Sequence, residues 1–244
     1  MSAAIETVDL CKSFKNCKAV DGLSLKVPEG SIYGFLGPNG AGKTTTIKMI
    51  TGLLSPTYGN ILLNGIDVWK KPIESKMKIG YIPDQPFLYD KLTGREFLFF
   101  SGGLYELPHN KLKSNVDEMI EQLKIGSWID KRTEEYSQGM RQRIAIASAF
   151  IHQPDLIVVD EPMIGLDPQS AFLVKKLFVD SVKKGTTVFM STHSLNVVEE
   201  ICTDVGIINR GKIIFRDKIT ELHKLKQKHD SSIEELFIEL TDDE

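Results

Sequence analysis

Gly37-Pro38-Asn39-Gly40-Ala41-Gly42-Lys43-Thr44-Thr45 fits the pattern G-x-x-x-x-G-K-[ST]. In such a loop the glycines let the backbone turn its N–H groups inward, where they make an anion-binding nest. Lys43 adds a point charge suited to β- and γ-phosphates, and the Thr44 hydroxyl suits Mg²⁺. A helix beginning there contributes its positive end. Further along, Asp155-Leu156-Ile157-Val158-Val159-Asp160-Glu161 reads as a buried strand ending in two acids. Asp160 is placed to hold Mg²⁺ with Thr44, and Glu161 to act as general base on a water aligned with the γ-phosphorus. His193 closes another apolar run. It could contact the γ-phosphate or steady that water, although a capping or surface histidine is the plainer reading. Together these residues predict a nucleoside-triphosphate site.

The elements around them are of the kind that would position them. Ile32–Leu36 is a short buried strand, and a helix is predicted from Thr45 through Leu54. Ile5–Leu10 and Leu23–Val27 read as strands, joined to the loop's own strand by the turn Pro28-Glu29-Gly30. Phe14 lies between them, open to two readings: stacking on a nucleobase or ordinary packing. Ile61–Leu63 and Ile66–Val68 flank Asn64-Gly65, a hairpin signal. Ile79–Ile82 is a strand that breaks at Pro83-Asp84-Gln85-Pro86, a subdomain boundary. Residues 87–152 read as helical, with Asn110 as an N-cap, Phe100–Leu104 as a glycine kink and Met140–His152 as an alanine-rich packed helix. Helices at 168–184 and 195–202 alternate with a strand at 186–190, and a hairpin spans 207–215. Alternation of this kind around a phosphate loop predicts an α/β fold with a mostly parallel, doubly wound sheet.

With 244 residues, 41% of them hydrophobic and 26% charged, the chain can bury a sizeable core. A net charge of −3 and a pI of 6.0 give no global basic field, so no nucleic acid is expected. Met1–Glu6 meets an acid too early for a signal peptide. No apolar run approaches the roughly 20 residues that span a bilayer, so any work on a membrane needs another chain for the spanning helices. Cys11, Cys17 and Cys202 lack metal-site spacing and read as reduced thiols.

Two further stretches are Tyr136-Ser137-Gln138-Gly139-Met140-Arg141-Gln142-Arg143 and Gly165-Leu166-Asp167. With the motifs above, their order and spacing resemble those of ABC-transporter ATPase subunits, from about Ile5 to Phe215. The resemblance implies a P-loop NTPase (ABC ATPase) with a mostly parallel core sheet, an N-terminal antiparallel β subdomain and a helical subdomain. Residues 1–85 and 153–222 would form the nucleotide-binding core with its β subdomain, 86–152 the helical signature subdomain, and 223–244 a helical tail. The implied ligands are ATP and Mg²⁺. Phe14 would stack on adenine, Gly37 to Thr45 would cradle the phosphates, and Asp84 and Gln85 would form the switch loop. Thr44, Asp160 and Asp84 would face the metal. Lys43, Glu161 and His193 would be catalytic. Ser137 and Gly139 would reach the γ-phosphate of a second chain, and Asp167 would link the paired sites.

The implied assembly is a homodimer or a paired ATPase subunit, on separate transmembrane permease subunits. That would place it in the cytoplasm, peripheral on the inner face of the membrane. Phe87 and Tyr89 are either permease contacts or packing residues. His223–His229 is a basic run for lipid headgroups or, more simply, a solvated helix face. Phe100-Ser101-Gly102-Gly103 mimics the signature but lacks the following Gln-Arg. The sequence departs from the family pattern at Asp84, Gln138 and Met140. With the tail Ser232–Phe237, which reads as a capped helix, these departures resemble the drug- and antibiotic-export branch. Import or lipid handling is the alternative. A soluble ABC-type ATPase on ribosomes or DNA would carry a second cassette or a long coiled coil. A GTPase would carry Asn-Lys-x-Asp. The chain's final acids, Asp242-Asp243-Glu244, are expected to fray.

Overall fold

The computed structural model describes residues 2–15 and 17–229, with the backbone alone for 225–229. Its first half comprises β1 (Ala3–Phe14), β2 (Cys17–Pro28), β3 (Ile32–Leu36), α1 (Lys43–Ile50), β4 (Tyr58–Leu63), β5 (Ile66–Asp67), α2 (Pro72–Lys76) and β6 (Ile79–Ile82). Three helices follow, α3 (Gly94–Gly103), α4 (His109–Gln122) and α5 (Gln138–Phe150). The chain then returns through β7 (Leu156–Asp160), α6 (Pro168–Lys183), β8 (Thr187–Thr192), α7 (Leu195–Ile201), β9 (Asp204–Asn209), β10 (Lys212–Lys218) and α8 (Ile219–His229).

The apolar runs β3, β7 and β8 are buried along their whole length, as strands covered on both faces must be. They lie inside a six-stranded sheet of order β10-β9-β3-β8-β7-β6, parallel except for the antiparallel edge strand β10. The alternation of side chains divides the core in two. Ile32, Leu36, Ile157, Val159, Val188 and Met190 pack with residues of α3 to α6. Tyr33, Phe35, Leu156, Val158 and Phe189 pack with α1 and with a four-stranded antiparallel sheet of order β2-β1-β4-β5. The α/β architecture read from the sequence is therefore the one observed.

Several local expectations are corrected. Helix α1 ends at Ile50, four residues short of Leu54, because Gly52 takes φ +67° and the Thr51 hydroxyl donates back to Ile47 O. Asn110 is not the N-cap of α4: Pro108 occupies that position, and Asn110 lies inside the first turn. Gly102 and Gly103 make no kink but end α3, and a Cβ on Gly102 would come within 2.2 Å of Leu112 Cδ1. Glycine there lets α4 pack closely. Asn64 (φ +47°) and Gly65 (φ +77°) form the expected hairpin turn. Cys11, Cys17 and Cys202 are free thiols. His223 and Lys224 fall in α8, where Lys224 pairs with Glu221. The tail Ser232–Phe237 and the acids Asp242–Glu244 lie outside the described residues.

Candidate active site

The parallel strands β3, β6, β7 and β8 bring their C-terminal ends to one edge of the sheet, where ligands bind in folds of this type. Register pairs Leu36 with Thr192 and Asp160 with Ser191. The chain after Leu36, the acids ending β7, the segment after β6 and His193 after β8 thus converge. They enclose a cleft of about 640 Å³ lined in part by Asn39, Gly40, Gly42, Lys43, Thr44 and Thr45, and by Asp84, Asp160, Glu161 and His193.

The glycines of the loop have separate reasons. A Cβ on Gly37 would lie 2.4 Å from Ile208 O, and one on Gly42 2.4 Å from Ala19 O; Gly42 also takes φ +108°. Gly37 and Gly42 therefore let the loop seat against β9 and β2. Pro38 O accepts from the Ala41 N–H at 3.2 Å, and Ala41 is buried. Among the described residues no side chain caps α1, so the first N–H groups of the helix are open to a ligand. Lys43 Nζ donates to Gly37 O (2.7 Å) and Pro38 O (3.1 Å), tying the helix start to the loop. Burial lowers the Lys43 pKa, while the charges of Glu161 and Asp160 oppose that shift.

Asp160 is 1% exposed. Its Oδ1 accepts from the Ser191 hydroxyl, while its Oδ2 is buried with no hydrogen-bond partner among the described residues. A buried carboxylate oxygen without a donor is costly unless a cation completes it. With the Thr44 hydroxyl in the same cleft, this donor set fits Mg²⁺. That ion takes few protein oxygens and keeps the rest of its shell for phosphate and water. Among the described residues no cluster of three His, Cys, Asp or Glu side chains could hold a metal ion.

Glu161 sits at φ +50°, a sparsely populated region for a residue with a side chain. Its side chain meets His193, with Nδ1 2.9 Å from Oε1. A carboxylate only accepts, so His193 carries its proton on Nδ1. In the neutral ring Nε2 is then an acceptor, suited to a water; it donates to phosphate only as the imidazolium.

Other expected residues lie apart from the cleft lining. Gln85 is outside it, although its N–H donates to Asp84 Oδ1 at 2.9 Å; Asp84 is the one on the cleft. Phe14 is 50% exposed with Lys12 Nζ 5.4 Å above its ring, and it is the strand partner Cys17 that lines the cleft. Ser137 caps α5, accepting from the Met140 N–H at 3.3 Å, and Asp167 caps α6. The Ser170 hydroxyl and N–H donate to Asp167 and hold its carboxyl below the usual range. Ser137, Gly139 and Asp167 are all absent from the cleft of their own chain. The start of α5 instead packs on the turn at residues 162–165. A Cβ on Gly139 would lie 2.8 Å from Gly165 O, the Gln138 side chain fills the space beside Gly165, and Gln142 Nε2 donates to Pro162 O. Met140 packs its partly buried side chain against the helical core.

The sequence reading missed Cys17, Lys18, Ala19, Ile164 and Arg210 as lining residues. It also missed Ser191 beside Asp160. No local motif marks any of them: the pairing of β8 with β7 brings in Ser191, that of β9 with β3 brings in Arg210 after β9, and Cys17, Lys18 and Ala19 come from β2, against whose Ala19 O the phosphate loop seats at Gly42.

Residues 20–164 match the family described as ABC transporter. The chain is 39% identical over 218 residues to the uncharacterized ABC transporter ATP-binding protein YxlF of Bacillus subtilis (strain 168), covering 89% of this chain and 72% of that one. It is 39% identical over 230 residues to the bacitracin transport ATP-binding protein BcrA of Bacillus licheniformis, covering 94% and 74%. Among solved structures, an ATP-binding subunit of an ABC transporter superposes with a TM-score of 0.90 at 28% identity, covering 97% of this chain and 99% of that one. A cassette bound to ADP and Pi in a post-hydrolysis state has the same fold, with a TM-score of 0.81 at 22% identity over 88% of this chain and 98% of that one.

Proposed function

Given that this chain belongs to the ABC transporter family as one of its ATP-hydrolysing members, we propose that it powers an exporter by closing on ATP as a dimer and reopening after hydrolysis. The observation that carries the dimer is the division of the functional residues. Phosphate loop, acids and histidine share one cleft, while Ser137 and Gly139 open a helix elsewhere on the same chain. A second copy or a paired ATPase subunit would bring that helix N-terminus to the γ-phosphate. Closure would then depend on the γ-phosphate, so binding and hydrolysis become closing and opening.

Within the cleft, the loop N–H groups and Lys43 bind and orient the phosphates. Thr44 and Asp160 would hold Mg²⁺, with Asp84 on the same cleft, and the ion would supply positive charge to offset that of the phosphates. Glu161 takes the proton of the attacking water, and His193 holds the Glu161 carboxylate and accepts from water through Nε2. Phe14 would meet the base beyond Cys17, and Asp167 would connect the paired sites.

Export is supported by relatives named for bacitracin transport and linearmycin resistance, and by a probable multidrug transporter subunit. A separate permease is supported by two observations. Among the described residues, no helix is long and apolar enough to cross a membrane. Phe87 (79% exposed), Tyr89 and Phe100 form an exposed edge-to-face aromatic patch that a membrane subunit could cover. The protein would then sit at the cytoplasmic face of the membrane.

Glu161→Gln tests the reading. It should retain ATP, lose turnover by roughly 10²- to 10⁴-fold, and run as an ATP-dependent dimer in size-exclusion chromatography. Hydrolysis at the parent rate, or a monomer at saturating ATP, would overturn it.

A further inference from the structure

Ser191 lies in β8, directly opposite Asp160 in the parallel ladder, and is fully buried. A serine hydroxyl has one proton to donate and two lone pairs to receive with. Here the proton goes to Asp160 Oδ1. The oxygen accepts the Glu161 N–H at 3.3 Å, and the same N–H reaches Ser191 O at 3.2 Å. One side chain therefore touches both acids of the cleft. The neighbouring hydroxyl has another task, since Thr192 Oγ1 accepts from the Ser194 N–H at 3.0 Å. The alternation of a strand points Ser191 and Thr192 to opposite faces.

The consequence follows from the two Asp160 oxygens. Oδ1 is satisfied by Ser191, and Oδ2 is buried with no partner among the described residues. A single donor on one side of a carboxylate fixes its rotation and leaves the other oxygen committed to whatever enters the cleft. The same hydroxyl helps hold Glu161 at φ +50°, which sets where its side chain leaves β7. We propose that Ser191 is a positioning residue for ATP hydrolysis, orienting Asp160 toward Mg²⁺ and fixing the backbone of Glu161. This rests on the reading of Asp160 as a metal ligand and of Glu161 as the base.

The test measures binding of a fluorescent ATP analogue to the full chain, with Mg²⁺ and with EDTA, for the parent, Ser191→Ala, Ser191→Cys and Asp160→Asn. Hydrogen-bond partners of metal ligands typically change metal affinity by about 10- to 100-fold. Ser191→Ala should keep the Mg²⁺-free affinity within about twofold while the Mg²⁺-dependent gain falls by roughly tenfold or more. Ser191→Cys, similar in size and a weaker donor, should fall between the two, and turnover should drop in the same order. Equal losses with and without Mg²⁺, or a parent-like Mg²⁺ response in both serine variants, would overturn the proposal. If Ser191→Ala fails a thermal-unfolding check, Ser191→Cys decides alone. Asp160→Asn separates the two ideas. If it keeps the full Mg²⁺ response, the metal-ligand reading fails. If it loses the response while the serine variants keep it, only the role of Ser191 fails.

Discussion

His193 and Glu161 face each other beyond the ends of two neighbouring strands, with Nδ1 2.9 Å from Oε1. The Glu161 side chain is 14% exposed and that of His193 59%, so the pair reaches from the floor of the cleft to its mouth. The imidazole thereby fixes the direction of a carboxylate whose backbone is already held at φ +50°.

If the two act as a unit, their effects on turnover will not add. His193→Ala should lower turnover by about 10²-fold, the lower end for a proton-transfer arrangement. Adding it to Glu161→Gln should cost nothing more. Single-turnover phosphate release on both single variants and the double variant measures the coupling, and fully additive losses would show that the contact is incidental.

Two glycines far from the cleft should differ in tolerance. A Cβ on Gly80 would lie 2.2 Å from Ala149 O, where α5 packs against β6, and backbone cannot yield without moving the helix. The neighbours of Gly102 are side chains, the tip of Leu112 at 2.2 Å and Ile151 Cγ2 at 2.8 Å, which yield more readily than backbone. Gly80→Ala should therefore destabilise by about 3 kcal/mol or more, and Gly102→Ala by nearer 1 kcal/mol. Urea unfolding of both variants gives the order, which a reversed ranking would contradict.

His152 should confer acid sensitivity. Its Nε2 bonds to Ile79 O at 3.1 Å, its ring stacks on Tyr105 at 3.6 Å, and its Nδ1 is buried without a partner among the described residues. Burial pushes its pKa down from 6.5 to about 4, only partly offset by the bond to Ile79. The unfolded chain then takes up the proton first, so stability is full above the unfolded value and falls as pH drops from 6.5 toward 4. Between pH 7 and pH 5 the loss should be about 2 kcal/mol. His152→Gln should remove that part of the acid dependence in urea titrations at the two pH values, and identical pH dependence in both proteins would refute it.

How much was legible follows from how far apart the cooperating residues lie in the chain. The phosphate loop, the acids ending β7, the helix opened by Ser137 and the hairpin at Asn64-Gly65 are contiguous. Their function follows from backbone conformation and spacing within a few residues, which the sequence states directly. The mostly parallel fold followed too, since buried apolar runs alternating with helices admit few arrangements. Even locally, the reading failed at Asn110, where Pro108 is the N-cap, and at the end of α1, where Gly52 takes a positive φ.

From the sequence alone it follows that this chain handles a nucleoside triphosphate, and most of the residues lining its cleft could be named. Only the three-dimensional structure shows that Ser191 stands opposite Asp160 and that Asp84 and not Gln85 borders the cleft. Ser191 and Asp160 are 31 positions apart, joined only by strand register. Register is set by the whole buried sheet and its crossovers, so no window of sequence around either residue contains it.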